Sequence, residues 1–390
     1  MDRSATIGVV GAGTMGSGIA QVAAQAGHAV LIYDERSGAA EKSIAALGST
    51  FDQLVAKGKF TKDAAAAILV RLRPVKELAE MKPSAMVIEA VVEDPAVKKQ
   101  LFAHLETITG DNTILATNTS SLSVTSIASA CHKPERVIGL HFFNPAPILP
   151  LVEVVPGLAT QGSIAAESVQ LMHSWGKLPV QCKDTPGFIV NRVARPFYGE
   201  AIRIFEEGLA DKRTIDRAMK EVGGFKMGPF ELMDLIGNDV NFTVTKTVWE
   251  CSFYEPRFKP SITQQRMVEA GWLGRKSGRG YYRYDQGQEL QQKQEEPDAQ
   301  LLGDICWRIV VMLINEAADA LHLGIASRDD IDLAMTKGVN YPKGLLKWAD
   351  EKGLGSCLAT MERLQAEYGE DRYRPSPLLR RMAREQRKFW

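Results

Sequence analysis

The chain has 390 residues, and its 47 lysines and arginines balance its 47 aspartates and glutamates, so no global field favours nucleic acid or an anionic membrane. With 45% hydrophobic and 24% charged residues it has the composition of a soluble globular protein of two or three domains, and no apolar run approaches the ~18 residues of a membrane span. Its five cysteines (Cys131, Cys182, Cys251, Cys306 and Cys357) are odd in number, widely spaced and without a Cys-x-x-Cys, which fits reduced thiols in a cytoplasm and gives no metal site.

The first strand is predicted over 7–10, too close to the N-terminus to leave room for a signal peptide. It runs into Gly11-Ala12-Gly13-Thr14-Met15-Gly16, then an Ala-rich helix, then a second strand that closes on Asp34, 18 residues after Gly16 (34 − 16). Gly11 permits the tight turn, Gly13 lets a pyrophosphate reach the backbone, and Gly16 lets the helix pack against the sheet. Gly11, Gly13, Thr14, Met15 and Gly16 are therefore candidate cofactor residues. The helix N-terminus offers them N–H groups and a positive dipole end. A carboxylate at Asp34 would accept hydrogen bonds from ribose hydroxyls and repel a 2′-phosphate, which favours NAD over NADP; a strand-end turn aspartate is the plainer alternative. Arg36 reads as a solvated surface residue.

A helical pair joined near Gly58 is predicted over 38–73. Strands follow at 85–92, 113–117, 136–143, 151–155 and 179–182, with helices at 95–107 and 163–175. Strands alternating with helices predict a mostly parallel sheet covered on both faces. After Asp184-Thr185-Pro186-Gly187 strands nearly vanish. Helices are predicted over 188–208, kinked at Pro196, then over 214–222 and 229–250. Residues 285–298 are dominated by Gln, Glu and Asp and read as a linker. Beyond it the chain repeats itself. Glu200-Ala201 recurs as Glu316-Ala317, an offset of 116 (316 − 200). Ile215-Asp216, Ala218-Met219, Gly228 and Asp234 recur at the same offset as Ile331-Asp332, Ala334-Met335, Gly344 and Asp350. A helical unit is present twice. The expected division is 1–184, 185–284, a linker over 285–298, and a degenerate second copy over 299–390.

Hydride chemistry on an alcohol needs a base for the hydroxyl proton. His141 falls at the end of a predicted strand, where open parallel sheets bind ligands. Glu153 is a carboxylate flanked by four apolar strand formers, out of character unless it has a partner, and pairing with His141 would fix the imidazole tautomer. A satisfied core histidine is the alternative for His141 alone. The other five histidines read as structural or exposed.

His141-Phe142-Phe143-Asn144-Pro145 resembles the hallmark of the L-3-hydroxyacyl-CoA dehydrogenases. So do Thr117-Asn118-Thr119-Ser120-Ser121, the run from Asp184 to Arg192, and Gly228-Pro229-Phe230-Glu231-Leu232. The similarity covers about 5–284, with the motifs in the family's order. It implies an α/β Rossmann-like NAD-binding domain followed by all-α domains like the C-terminal domain of 6-phosphogluconate dehydrogenase, here two in tandem. It also implies oxidation of the 3-hydroxyl of an acyl-CoA with NAD. On the same resemblance His141 would be the general base and Glu153 its orienting partner. Ser120 and Asn191 would hydrogen-bond the reacting oxygens. Asn144 would position the nicotinamide, and Asn118, Glu93 and Lys98 would lie along the cofactor. Lys57 is the nearest match to the family's basic contact with CoA. Singly, Ser120 reads equally as a helix N-cap, Lys98 and Lys57 as solvated helix residues, and Asn191 as a turn cap.

The offset pairs Asn191 with Trp307 and Glu231 with Lys347, so no second active site is expected. The resemblance implies homodimers for members with one helical domain. A tandem copy folding back as an intramolecular pseudo-dimer would leave a monomer, and its alternative is a free appendage. Two other readings of the scaffold stay open: action on a free hydroxy or sugar acid, and a non-catalytic, crystallin-like NAD-binding protein.

Overall fold

Short runs of β-branched residues alternate with helices through the first half of the chain, and they build one eight-stranded sheet. The computed structural model describes residues 1–284 and 297–390, so all but the last two residues of the expected linker lie outside the described residues. Two units form, Met1–Thr185 and Pro186–Trp390, and both helical copies belong to the second.

The first unit runs β1 (Ile7–Val10), α1 (Thr14–Ala26), β2 (Val30–Tyr33), α2 (Ala39–Ala56), α3 (Lys62–Leu69), β3 (Leu72–Pro74), β4 (Met86–Glu89) and α4 (Pro95–Ile108). It continues with β5 (Ile114–Thr117), α5 (Val124–Ala128), β6 (Val137–Phe142), β7 (Leu151–Pro156), α6 (Gly162–Ser174) and β8 (Leu178–Gln181). The strand order is β3-β2-β1-β4-β5-β6-β7-β8, the doubly wound order extended at one edge. β1, β4 and β5 are buried along their whole length, as parallel strands covered on both faces must be. All neighbours pair in parallel except β6 and β7, whose connection is too short for a crossover helix. Two elements, β3 and α5, were not predicted; each is too short to show a period.

The second unit runs α7 (Val190–Val193), α8 (Arg195–Glu206), α9 (Lys212–Glu221), α10 (Pro229–Ile236), α11 (Asn238–Cys251), α12 (Ile262–Glu269), α13 (Ala299–His322), α14 (Arg328–Gly338), α15 (Leu345–Lys352), α16 (Leu354–Tyr368) and α17 (Pro377–Arg384). Two predicted helices are each a pair. The 188–208 helix breaks at Ala194, and Pro196 falls in the first turn of α8, where its missing N–H costs nothing. The 229–250 helix breaks at Gly237, whose φ of 105° suits glycine alone.

The duplication extends to the caps. Asp216 accepts the N–H groups of Phe230 and Glu231 at the start of α10, and Asp332 accepts those of Leu346 and Lys347 at the start of α15. A further match, Arg257-Phe258-Lys259-Pro260-Ser261 with Arg372-Tyr373-Arg374-Pro375-Ser376, lies at an offset of 115 (372 − 257). A single-residue gap in the second copy takes this stretch out of the constant offset. Contacts between the copies are reciprocal: Arg192 of the first copy lies 2.7 Å from Glu316 of the second, and Arg308 of the second lies 2.6 Å from Glu200 of the first. Both arginines and both glutamates are related by the same offset of 116.

Candidate active site

The antiparallel pairing of β6 and β7 sets His141 directly opposite Glu153. His141 Nδ1 is 2.6 Å from Glu153 Oε2, and Glu153 is wholly buried. A carboxylate only accepts, so the imidazole donates from Nδ1, and in the neutral ring Nε2 is the basic nitrogen. The pair stands beside the end of β6, with the Phe143 ring 4.5 Å from the imidazole. Asn118 ties this corner together, its Oδ1 accepting the Phe142 N–H at 2.8 Å. Asn144 is exposed two residues further on, before a cis peptide bond to Pro145.

The glycine turn opens a cleft of about 720 Å³ that Gly11, Gly13, Thr14, Met15 and Asp34 help to line. A Cβ on Gly16 would fall 1.7 Å from the Gly11 carbonyl oxygen, and one on Gly11 would fall 2.5 Å from that of Ala90. Both glycines are required by packing. At Gly13 a Cβ would meet nothing within 4 Å, so the backbone there is open to a phosphate. No side chain caps α1, and its first N–H groups remain for a ligand. The Arg36 side chain and the amides of Ala12 and Arg36 hold the Asp34 carboxyl down to about 2, so it is an acceptor at every physiological pH. Arg36 thus faces solvent and pairs with Asp34 at once. These residues fit a dinucleotide with two free ribose hydroxyls.

Ser120 does not cap a helix; Ser123 does that for α5. Ser120 is held instead by Glu93, whose Oε1 accepts the N–H of Ser120 at 2.9 Å and the hydroxyl of Thr119 at 2.6 Å. Lys98 is not a solvated helix residue but wholly buried. Its Nζ lies 2.5 Å from Glu89 and 3.2 Å from Glu93. Thr117 and the Val91 amide donate to Glu89 as well. Burial works to raise the Glu93 carboxyl, but Lys98 and the hydroxyl and amide donors outweigh it and hold it below the ordinary carboxylate range. Lys98→Met leaves two neighbouring carboxylates without that cation, so Glu93 should protonate at a higher pH than before. Its grip on the Ser120 loop is present above that pKa and is lost as pH falls. Turnover in the variant should therefore fall further below wild type as pH is lowered, by about tenfold in acid, and recover in alkali. A pH profile parallel to that of wild type would separate this network from catalysis.

Asn191 belongs to the second unit, half-buried on α7, and its carbonyl accepts from Arg195 Nε at 2.7 Å. Lys57 is exposed at the C-terminal end of α2. Sequence reasoning passed over Glu89, although a carboxylate flanked by apolar residues in a strand-forming run is the signal that picked out Glu153. It also passed over Asp184, which accepts the N–H groups of Val124 and Thr125 at the start of α5. Among the described residues no helix is long and apolar enough to cross a membrane, and no cluster of His, Cys, Asp and Glu could hold a metal ion.

A doubly wound sheet with an open glycine turn, a carboxylate lining the cleft at the end of the second strand and a buried His–Glu pair is the arrangement of a nicotinamide-dependent dehydrogenase. Residues 6–185 match the NAD binding domain of 3-hydroxyacyl-CoA dehydrogenase, and residues 187–284 and 303–388 match its C-terminal domain. The chain belongs to the 3-hydroxyacyl-CoA dehydrogenase family, and its cofactor is NAD. The 3-hydroxyadipyl-CoA dehydrogenase of Escherichia coli (strain K12) is 41% identical over 97% of this chain and 97% of its own length. The crystal structure of a 3-hydroxybutyryl-CoA dehydrogenase from Escherichia coli K12 matches with a TM-score of 0.93 at 40% identity, covering 98% of each chain. That of (S)-3-hydroxybutyryl-CoA dehydrogenase from Ralstonia eutropha gives 0.70 at 39% identity, covering 72% of this chain and 98% of its own.

Proposed function

We propose that this enzyme oxidises the 3-hydroxyl of an L-3-hydroxyacyl-CoA to the 3-oxo thioester, and runs the reverse, with His141 as general base. The contact that carries this reading is the 2.6 Å pairing of His141 with a wholly buried Glu153. NAD, when bound, supplies the hydride acceptor. His141 Nε2 takes the hydroxyl proton, and Glu153 stabilises the imidazolium that results. Ser120 and Asn191 hydrogen-bond the reacting oxygens. Asn118 and Asn144 keep the imidazole corner in register with the cofactor. Glu93 and Lys98 act on the Ser120 loop, and Lys57 is assigned to CoA. Five widely spaced cysteines with no Cys-x-x-Cys support a cytoplasmic location. We assign the second helical copy the place that a partner subunit would take, so that one chain is the working unit.

Oxidation of NADH with acetoacetyl-CoA tests the reading. Turnover should exceed that of free acetoacetate by about 10³-fold in kcat/KM, because binding energy from the CoA moiety is used at the reacting carbon. Equal rates with the free acid would overturn it.

A further inference from the structure

The connection from β6 to β7 carries Phe143 and Asn144, yet it is poor in hydrogen-bond donors. Of its eight residues (143–150), three are prolines, Pro145, Pro147 and Pro150, so eight carbonyls face five N–H groups (8 − 3). Two of those N–H groups, of Ile148 and Leu149, go to the Pro145 carbonyl at 3.0 Å each. The carbonyls of Ala146 and Leu149 accept from Lys177 Nζ, the second at 2.9 Å. An ammonium has three N–H donors and makes good what the prolines remove.

Lys177 is only 6% exposed and forms no ion pair among the described residues, and burial draws its pKa below the ordinary lysine value. A neutral donor would serve two carbonyls without the cost of burying a charge. What the cation adds is a firmer hold, since charge-assisted hydrogen bonds are about twice as strong as neutral ones. The backbone around it is fixed as well. The Lys177 N–H donates to the Met172 carbonyl in the last turn of α6, and the Leu178 N–H of β8 donates to the Pro150 carbonyl. The loop also rests on α1, the helix that follows the glycine turn. A Cβ added at Gly18 would lie 3.2 Å from both Ala146 Cβ and Pro147 Cδ. The segment that carries Asn144 is thus held by Lys177 and by the cofactor helix, all within the first unit.

We propose that Lys177 is a positioning residue for the reaction: through the Ala146 and Leu149 carbonyls it holds the loop so that Asn144 and the His141 corner keep their place against the nicotinamide. The proposal rests on the dehydrogenase reading above. Lys177→Met removes the donors and keeps most of the side chain's bulk. Single-turnover hydride transfer to acetoacetyl-CoA, counted per NADH-binding site, should fall about tenfold or more, because small displacements of a reacting centre are that costly. NADH affinity and the KM for acetoacetyl-CoA should stay within about threefold of wild type, so that the loss falls on kcat. A lysine that only stabilises the fold lowers the number of NADH-binding sites and not the rate at each. A per-site rate equal to wild type, or a loss confined to KM, therefore overturns the proposal. If Lys177→Met does not fold, Gly18→Ala decides. Alanine suits a helix interior better than glycine, and its Cβ presses on the same loop at Ala146 and Pro147. Its per-site rate should fall in the same way, and an unchanged rate overturns the proposal. Wild type failing to oxidise NADH with acetoacetyl-CoA takes down the dehydrogenase reading and this one with it.

Discussion

Glu153→Gln should lower turnover of acetoacetyl-CoA by about 10²-fold or more while NADH affinity stays within about twofold, the pattern of a damaged general base. The substitution conserves volume between Val152 and Val154, both wholly buried, so the β6–β7 register and the sheet should persist. The charge is what changes. With His141 protonated, the native pair is an imidazolium against a carboxylate at 2.6 Å in a wholly buried setting. A glutamine can still accept from Nδ1, but it offers a dipole in place of a full charge, and low dielectric magnifies the difference. The loss should fall on the hydride-transfer rate in single-turnover measurements, with binding followed by NADH fluorescence. Near-native transfer rates in the variant would remove Glu153 from the mechanism and leave His141 without a stated source of basicity.

The dinucleotide half of the site was legible because each part has a short-range signature: a strand, three glycines at fixed spacing, and an acid at the end of the next strand. Gly13 and Asp34 could be read without knowing any tertiary contact. The His141–Glu153 pair was legible for another reason. A carboxylate among strand formers demands a partner, and few histidines were available. The same argument applied to Glu89 would have found the buried Lys98, but a helix lysine four residues into α4 carries no mark of burial in sequence. Pattern failed where a glycine or proline interrupted helical periodicity without ending it, as around Pro196 and at Gly237. The duplication was visible where the offset held, and invisible at Arg257 and Arg372, where one residue is lost. What no pattern could supply was the reciprocity of Arg192 with Glu316 and Arg308 with Glu200, since sequence shows equivalence but not contact.

That reciprocity leads to the second large effect: Glu316→Ala should destabilise the protein by about 3–5 kcal/mol, the range for breaking a buried ion pair by removing one partner. Glu316 is wholly buried and faces Arg192 at 2.7 Å and Arg257 at 3.1 Å. Without it, Arg192 is left with Asp319 at 3.8 Å, and Arg257 with Asp319 at 3.0 Å and Glu255 at 3.3 Å. The mirror change, Glu200→Ala, should cost less, because Arg308 keeps both oxygens of Glu207, at 2.8 and 3.0 Å. Urea transitions of the two variants would give the order. A pair of contacts exchanged between equivalent residues is what a two-fold interface between identical subunits produces. Here both halves lie on one chain. On the proposal that the second copy takes a partner subunit's place, light scattering should return the mass of a single chain. An obligate dimer assembled through α8 and α9, or a Glu316→Ala variant as stable as wild type, would mean that the second copy does not stand in for a partner subunit.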